Sequence, residues 1–333
     1  MGESIEYIDL SENNLSGNFP ASLCSLPSLV HLKLSNNGFF GRLPFQIKKC
    51  KSLTFLDLGE NKFSGTISKV IGENLLSLQV LRMRANQFNG NITKKLCRLR
   101  ELHVLDLAQN NLSGPIPACL SNLNGMKSRN HDGYVSFDMD LVQKGRKLEY
   151  DRTMIQLVNM IDLSCNNLSG DISEEIPNLS GLGTLNVSNN HLTGKIPLKI
   201  GDIRSLETLD LSSNHFSGQI PLSMSSLTYL NHLNLSHNNL SGPIPSGNQF
   251  PTFDESIYEG NPGLCGSALL TKCEAATDEE DGDQRGHNGD DREDKYEKLG
   301  LFVSIALGFI VGFWSVCGSL VIKKTWRDAY FGF

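Results

Sequence analysis

The sequence predicts an α/β solenoid, a stack of similar coils in which each coil adds one strand to a parallel sheet. The first observation is a period: an asparagine recurs in steps of 24, 24, 25, 24, 56, 24, 24 and 24 residues. The second is the text around it, L-x-x-L-x-L-x-x-N-x-L/F-x-G-x-I-P, which is clearest in residues 206–221. One such coil cannot bury its own apolar face, so coils must stack. The asparagines are Asn13, Asn37, Asn61, Asn86, Asn110, Asn166, Asn190, Asn214 and Asn238.

Each position in the repeat has a physical role. The apolar positions of residues 206–221 alternate as a half-buried strand does and then continue into the core. We expect the Asn214 side chain to bond backbone groups of adjacent coils, forming a ladder. Gly218 permits left-handed backbone, and Pro221 ends the segment without needing a donor. The text is a leucine-rich-repeat signature, with parallel strands on the concave face and short helical or 3-10 segments on the convex face.

The pattern divides the chain into seven segments. Five repeats without an N-terminal cap are followed by a segment that holds the end of the fifth repeat and an insert. Four further repeats and a closing cap come next, and then an acidic spacer, an apolar segment and a short tail. The step of 56 residues marks the insert, whose middle alternates as a strand does at Val135, Phe137, Met139 and Leu141. The predicted bounds are 1–117, 118–157, 158–245, 246–273, 274–298, 299–322 and 323–333.

The apolar segment predicts a membrane span. Residues 301–322 carry no charge and are long enough to cross a bilayer as a helix. Lys323, Lys324 and Arg327 follow it, so we expect the tail in the cytosol and the repeats outside, as in a single-pass type I plasma-membrane protein. That topology requires a signal peptide upstream of Met1, and we expect the chain to be the C-terminal part of a longer receptor. The net charge of −6 argues against a nucleic-acid binder.

Cysteines and glycosylation sequons fit an oxidising, secretory compartment. Cys265 and Cys273 flank the end of the array and predict a cap disulfide. Two further pairs lie on consecutive coils and are either inter-coil disulfides or buried thiols; they are Cys24 with Cys50 and Cys97 with Cys119. Predicted glycosylation sites begin eight sequons, at Asn14, Asn91, Asn111, Asn167, Asn178, Asn186, Asn234 and Asn239.

The exposed strand positions predict a ligand surface, because solenoids bind partners on the concave face. These positions vary in the first five repeats and are plainer in the last four. The residues predicted to contact ligand there are Phe55, Arg82, Arg84 and His103. Neutral drift on a solvated face is the alternative. In the apolar segment, small residues at every fourth position predict close packing against a partner helix; they are Ser304, Gly308 and Gly312.

Catalytic and metal chemistry are not indicated. The sequence has no P-loop, H-E-x-x-H, G-x-S-x-G or C-x-x-C motif. His191 and His215 lie on adjacent coils, but two histidines without a third ligand make a weak metal site. Aspartates recur at one strand position, and we interpret them as a stacked, solvated face rather than acid–base groups; they are Asp57, Asp106, Asp162 and Asp210. We therefore expect no catalytic residues, no metal and no cofactor.

Taken together, these motifs resemble those of plant leucine-rich-repeat receptor-like proteins. The resemblance rests on the L-S-G-x-I-P text, the insert before the last four repeats, the closing Asn261-Pro-Gly-Leu-Cys-Gly motif, the acidic spacer and the K-K-T-W-R tail. The span, the tail and residues 144–150 are most similar to the subgroup that includes the fungal-xylanase (EIX) receptors. This sequence departs from the family pattern at the N-terminus, where family members have a signal peptide, a cysteine-paired cap and more repeats.

The resemblance implies a kinase-less cell-surface receptor of plant defence or development that binds a peptide or protein elicitor. It implies an adaptor receptor kinase bound through the G-x-x-x-G span, and a SERK-type co-receptor kinase bound through the insert and the last repeats. It marks four insert residues for ligand or co-receptor contact, namely Tyr134, Lys144, Gly145 and Tyr150. The alternatives are a truncated decoy receptor and a polygalacturonase-inhibitor-like binding protein.

Overall fold

The computed structural model describes residues 4–67, 69–129, 139–143, 146–150, 157–247, 249–266, 269, 271 and 273. Nine parallel strands, one per repeat, form the main sheet, and we number coils 1 to 9 by these strands. In order they are Tyr7–Asp9, His31–Lys33, Phe55–Asp57, Val80–Arg82, Val104–Asp106, Met160–Asp162, Thr184–Asn186, Thr208–Asp210 and His232–Asn234. The predicted solenoid of parallel strands is thereby confirmed.

A second set of short strands lines the coils after each asparagine. Seven of them form a parallel sheet: Ser16–Gly17, Gly38–Gly41, Lys62–Thr66, Gln87–Asn91, Asn111–Gly114, Asn167–Gly170 and His191–Leu192. Three more form a smaller sheet, Ser217–Gly218, Asn239–Pro243 and Gly263–Cys265. In the insert, Met139–Gln143 pairs antiparallel with Arg146–Tyr150, and we call this pair the hairpin.

Short helical segments complete each coil, as the repeat text predicts. One is an α-helix, Lys69–Asn74. The 3-10 helices are Ala21–Ser25, Phe45–Lys49, Lys94–Arg98, Ala118–Asn122, Asn124–Met126, Ile176–Asn178, Ile200–Asp202, Leu222–Ser226, Phe250–Thr252 and Glu255–Tyr258. The recurring proline of the I-P text precedes several of them, for example Pro117 and Pro221, since proline fixes φ without requiring a donor.

The asparagine ladder holds neighbouring coils together. The Asn61 side-chain amide donates to the carbonyl of Leu34 in the preceding coil at 2.9 Å, and to the carbonyls of Leu58 and Gly59 in its own turn. Its Oδ1 accepts the Phe39 N–H at 3.0 Å. One buried amide thus satisfies four backbone groups that the turn would otherwise leave unpaired. The same bonds recur at Asn37, Asn86, Asn110, Asn166, Asn190, Asn214 and Asn238.

The residue before each ladder asparagine adopts the left-handed conformation. Its φ lies between 51° and 56° in all nine coils, although none of these residues is glycine. Cys165 is one of them, with φ 54°, and Ser213 holds the same place two coils later. The turn therefore sets the position of Cys165, an exposed free thiol, and tolerates residues of several kinds there.

The core runs as one apolar column through the stack. Buried leucine, isoleucine and phenylalanine side chains of coils 2 to 9 form most of it, whereas Ile8 and Leu10 of coil 1 are only partly buried. In coils 2 to 4 the second residue after the ladder asparagine is phenylalanine. The rings of Phe39, Phe63 and Phe88 stack with neighbouring centroids 6.1 and 6.4 Å apart. Such stacking adds to the burial of each ring, so the column is continuous from coil to coil.

The closing segment extends the ladder further than the sequence predicted. Residues 246–273 were expected to leave the repeat pattern, but Asn261 donates to the Leu235 carbonyl at 2.9 Å and accepts the Leu240 N–H at 3.0 Å. It therefore acts as a tenth ladder asparagine. Leu264 is buried behind it, and a disulfide joins Cys265 to Cys273.

Two further disulfides join neighbouring coils, Cys24 to Cys50 and Cys97 to Cys119. The chain divides into two units, residues 1–274 with the solenoid and residues 275–333. Among the described residues, no helix has both the length and the apolar character needed to cross a bilayer. The predicted span at 299–322, with Ser304, Gly308 and Gly312, lies outside them.

Candidate ligand-binding face

The outer face of the main sheet carries two rows of side chains, because alternate strand residues point away from the core. The register of the strands puts equivalent residues side by side. The first row is Tyr7, His31, Phe55, Val80, Val104, Met160, Thr184, Thr208 and His232. The second row is Asp9, Lys33, Asp57, Arg82, Asp106, Asp162, Asn186, Asp210 and Asn234.

The hairpin covers the first row in coils 3 to 6. Leu141 of the hairpin is fully buried in a cluster with Phe55, Val80, Val104 and Met160, and none of the five is more than 1% exposed. This cluster is separate from the main core. Burying these side chains contributes roughly 1.5–3 kcal/mol each. The outer face of coils 3 to 6 is therefore apolar in the first row because the chain's own insert packs on it.

Buried ion pairs occupy the second row beside that cluster. The Arg82 guanidinium lies 3.0 Å from the Asp57 carboxylate and 3.7 Å from that of Asp106. It also lies 2.6 Å from Glu60. Arg82, Asp57 and Asp106 are at most 3% exposed. The three carboxylates raise the pKa of Arg82 despite its burial, so this guanidinium stays charged.

Arg84 extends the network across the insertion point. Its guanidinium lies 3.2 Å from Asp106 in coil 5 and 3.9 Å from Asp162 in coil 6. Burial raises the pKa of Asp106, and burial together with the Asp106 carboxylate raises the pKa of Asp162 to about 7. The prediction of a solvated aspartate face is wrong for Asp57, Asp106 and Asp162, because they are buried around the two guanidinium groups.

These aspartates also have a local role in the turn. Oδ1 of Asp162 accepts the Ser164 N–H at 3.0 Å and the Ser164 hydroxyl at 2.6 Å. Asn186 and Asn234 make the same two bonds in later coils. The recurrence of Asp or Asn at this position therefore follows from the turn geometry, and it needs no acid–base chemistry.

The sequence placed His103 on the outer face of its strand. In the structure Val104 occupies that place in the first row, and His103 is the residue before it. Its ring Nδ1 lies 2.8 Å from the Val158 carbonyl, and the side chain is fully buried. At the start of the array, the ring of Tyr7 stacks on His31 with centroids 4.7 Å apart. His31 is buried, which lowers its pKa to about 4 and keeps it neutral.

A cavity of about 300 Å³ opens where the insert leaves and rejoins the array. Arg129, in the first part of the insert segment, lies 2.8 Å from Glu207 of coil 7 and also bonds the Ser205 carbonyl. Burial and the Glu207 carboxylate raise the pKa of Tyr150, so its hydroxyl remains a proton donor. The lining residues are Arg129, Tyr150, Leu157, Val158, Asn159, Gly183, Thr184 and Glu207.

The structure thus separates the predicted ligand residues. Phe55, Arg82, Arg84 and His103 are buried, Tyr150 lines the cavity, and Tyr134, Lys144 and Gly145 lie outside the described residues. Arg129 and Glu207 were missed, although the end of the regular repeat before the insert could have pointed to Arg129. His191 and His215 stack at 5.9 Å, and the described residues contain no cluster of three metal ligands.

The predicted glycosylation asparagines differ in their surroundings. Asn186 and Asn234 are half-buried on the main sheet, where each side chain is held by the serine of its own sequon. The other six are exposed: Asn14, Asn91, Asn111, Asn167, Asn178 and Asn239. Glycosylation itself stays a prediction, and it is more compatible with the second group.

A model of the leucine-rich-repeat family matches residues 4–26, 28–50, 52–74, 101–123, 158–179, 181–203, 205–227 and 229–250. The chain belongs to the leucine-rich-repeat family. Coil 4, with Arg82 and Arg84, falls outside these matches yet forms a regular strand and ladder turn. Its two arginines depart from the consensus without disturbing the strand or the ladder turn.

Among curated proteins, the chain is 50% identical over 231 residues to receptor-like protein EIX2 of Solanum lycopersicum, which covers 65% of this chain and 22% of that protein. It is 38% identical over 92 residues to receptor-like protein EIX1 of the same species, covering 26% of this chain and 9% of that protein. The predicted resemblance to plant leucine-rich-repeat receptor-like proteins is confirmed. The chain spans less than a quarter of either relative.

Solved structures of plant ectodomains share the fold. The Arabidopsis receptor kinase HAESA, in complex with the peptide hormone IDA and the co-receptor SERK1, matches with a TM-score of 0.60 and 31% identity over 79% of this chain and 42% of that one. The plant peptide hormone receptor RGFR1 with RGF2 matches with a TM-score of 0.56 and 29% identity, over 80% and 40%. A plant ice-binding protein also matches, with a TM-score of 0.56 and 26% identity, over 81% and 84%.

Proposed function

We propose that the chain is part of a non-enzymatic, kinase-less cell-surface receptor of plant defence or development that binds a peptide or protein elicitor. Its similarity to receptor-like proteins and to peptide-binding ectodomains supports this proposal. The single observation that carries it is the cavity at the base of the insert. There a half-buried tyrosine, an arginine–glutamate pair and apolar side chains meet beside the plain face of coils 7 to 9.

The cavity suits a protein ligand better than a small cofactor. It is open and combines two apolar side chains, Leu157 and Val158, with a few polar groups. Tyrosine and arginine dominate the energetics of protein interfaces, because each offers a large contact area and a polar end. Tyr150 and Arg129 both line this cavity and are placed to act in this way.

The upstream half of the face has a different role in this proposal. Phe55, Arg82 and Arg84 are occupied by the hairpin or by carboxylates, so they position the insert rather than meet ligand in this state. A ligand reaches them only if the hairpin moves. We therefore propose that Phe55, Arg82, Arg84 and His103 contact ligand only after the hairpin has moved.

Signalling would require kinases in trans. We place the adaptor receptor kinase on the apolar segment, through Ser304, Gly308 and Gly312, and a SERK-type co-receptor on the insert and the last repeats. The insert contacts then include Tyr134, Lys144, Gly145 and Tyr150. The array would lie outside the plasma membrane as a glycoprotein, which accords with its three disulfides.

The test measures binding of a purified fungal xylanase, the elicitor class that the resemblance names, to the full chain in detergent. Tyr150→Ala should weaken binding at least tenfold, because it removes the aromatic wall of the cavity. Tyr229→Ala is the matched control, since Tyr229 is 67% exposed and lies outside the cavity. Undetectable binding to the unaltered chain, or equal losses in both variants, would overturn the assignment of this ligand class to this cavity.

A second measurement tests the signalling arrangement separately. Gly308→Leu with Gly312→Leu should abolish co-purification of the adaptor kinase, because larger side chains keep two helices apart. Elicitor binding should be unchanged in that variant. Retained co-purification would reject helix packing as the route to the kinase and leave the ligand proposal standing.

A further inference from the structure

A second cavity, of about 770 Å³, lies outside both sheets on the helical side of coils 3 to 5. It runs across three successive coils, with Leu76 from coil 3, Arg98 and Arg100 from coil 4, and Asn122 and Asn124 from coil 5. All five side chains are exposed. We call this cavity the groove. Its lining residues lie at the ends of the helical segments or shortly after them, and neither the hairpin nor the first cavity shares a residue with it.

The two arginines of the groove are free to bind an anion. Among the described residues, no carboxylate lies within 4 Å of either guanidinium, in contrast to Arg82 and Arg84. Hydrogen bonds hold the backbone at these positions: the Arg100 N–H donates to the Arg98 carbonyl at 2.9 Å, and the Gly125 N–H donates to the Arg100 carbonyl at 2.7 Å. Guanidinium groups bind carboxylates through paired hydrogen bonds.

The rest of the lining indicates a polyhydroxylated ligand. Asn122 and Asn124 each offer a donor pair and an acceptor, which matches hydroxyl groups. Leu76 is 45% exposed and gives the apolar surface on which the C–H face of a sugar ring can lie. Glu101 also lines the groove. Its carboxylate can accept hydrogen bonds from hydroxyl groups, but it repels an anionic group placed next to it. The remaining lining residue, Cys97, is in a disulfide.

The surroundings of the groove are basic, although the chain as a whole is acidic. The segments 44–54, 67–79, 92–103 and 116–127 contain nine basic and two acidic residues. The corresponding segments of later coils, 172–183, 196–207 and 220–231, contain two basic and four acidic residues. A surface of one sign raises the local concentration of ligands of the opposite sign. The excess of basic residues lies on coils 2 to 5, and coils 3 to 5 carry the groove.

We infer that the groove binds a linear acidic polysaccharide in which successive sugars carry carboxylates, that is, a polyuronate. Coils repeat at about 4.8 Å along the stack, so a chain laid along the groove meets the side chains of successive coils in turn. An acidic peptide is disfavoured because the groove offers one apolar side chain for its residues. Because polyuronates are extracellular polymers, this inference rests on the proposed placement of the array outside the cell.

The experiment measures binding of a size-fractionated oligogalacturonate to the full chain in detergent by calorimetry. Arg98→Gln with Arg100→Gln should weaken binding at least tenfold, since two charge-assisted contacts are lost. Lys199→Gln with Arg204→Gln is the matched control. It removes the same charge from coil 7, where Arg204 holds the place that Arg100 has in coil 4, and it should leave binding unchanged.

Two further probes decide the ligand class. The fully methyl-esterified oligomer keeps the sugars but loses the charge, and polyglutamate keeps the charge but lacks the sugars; both should bind at least tenfold more weakly. No binding of the oligogalacturonate, equal binding of the ester, equal binding of polyglutamate, or an equal loss in the coil 7 control would each overturn the inference. Xylanase binding by the Arg98/Arg100 variant, measured in parallel, shows separately whether the receptor proposal stands.

Discussion

Coils 3 to 6 and coils 7 to 9 share one backbone but differ in what their strands present on the outer face. In the first group the two rows hold an apolar cluster under Leu141 and a buried network of two arginines with four carboxylates. In the second group the first row holds Thr and His side chains, and the Asn and Asp side chains of the second row make turn-forming bonds. The ladder and the left-handed turn are the same in both groups.

The difference shows that the repeat text fixes the coil and leaves the outer face free. Inward leucines and the asparagine determine the backbone, and the outward residues then decide whether the chain's own insert or another molecule covers the sheet. Coils 3 to 6 have a face adapted to the hairpin, which leaves the plainer coils and the cavity beside them for a partner. The outward residues of coils 3 to 6 therefore differ from the plainer pattern because they pack against the hairpin and pair with one another.

The largest expected effect comes from breaking the buried network. Arg82→Met keeps the length of the side chain but leaves buried Asp57 without its cation and Asp106 with only one of its two cations, Arg84. We expect a loss of about 3–5 kcal/mol in the free energy of unfolding, because an uncompensated buried charge is costly. Urea unfolding of the full chain in detergent measures it.

Lys33→Met is the matched control for this substitution. Lys33 lies in the same row, but its ion pair with Asp9 spans 3.5 Å between side chains that are 18% and 35% exposed. A partly solvated pair of this kind contributes about 0–1 kcal/mol. If the two variants lose equal stability, the buried network does not distinguish the two groups of coils.

The disulfide between coils 4 and 5 gives the next largest effect. Cys97→Ser with Cys119→Ser opens a loop closed over 22 residues and should cost about 3 kcal/mol, as loss of the constraint on the unfolded chain predicts. Cys165→Ser should be nearly neutral, because Ser213 already holds the same left-handed position. The midpoints of urea unfolding without reductant test both. A double variant as stable as the unaltered chain would mean that stacking alone holds these coils.

Much of this organisation was predictable from the period, and some of it was overlooked there. Steps of 25 and 24 residues put Asp57, Arg82 and Asp106 on adjacent strands, so their ion pairs could have been predicted in place of a solvated face. Asn261 could have been found as a tenth ladder residue, since it follows Asn238 by nearly one period. The resting place of the hairpin could not, because long-range packing of a segment outside the repeat decides it.

The smallest effect is a pH dependence that should be specific to coil 6. The pKa of Asp162 is raised to about 7 in the folded chain, from an ordinary value of 3.8, by burial and by the Asp106 carboxylate. Between about pH 4 and pH 7 the folded state therefore keeps a proton that the unfolded state has lost. The free energy of unfolding contributed by this group falls as the pH rises through that window and is unaffected below it.

Asp162→Asn should remove this dependence, because asparagine already makes the same turn bonds at Asn186 and Asn234. The variant should match the unaltered chain near pH 4 and exceed its stability by roughly 1–3 kcal/mol near pH 8, where the unaltered carboxyl is ionised beside Asp106. Asp210→Asn makes the same change in coil 8, at a half-buried aspartate away from the arginine–carboxylate network, and should give no such gain. Urea midpoints across this pH range measure the difference. A gain of equal size at both pH values would show that packing, rather than the charge shared between coils 5 and 6, separates the two groups of coils here.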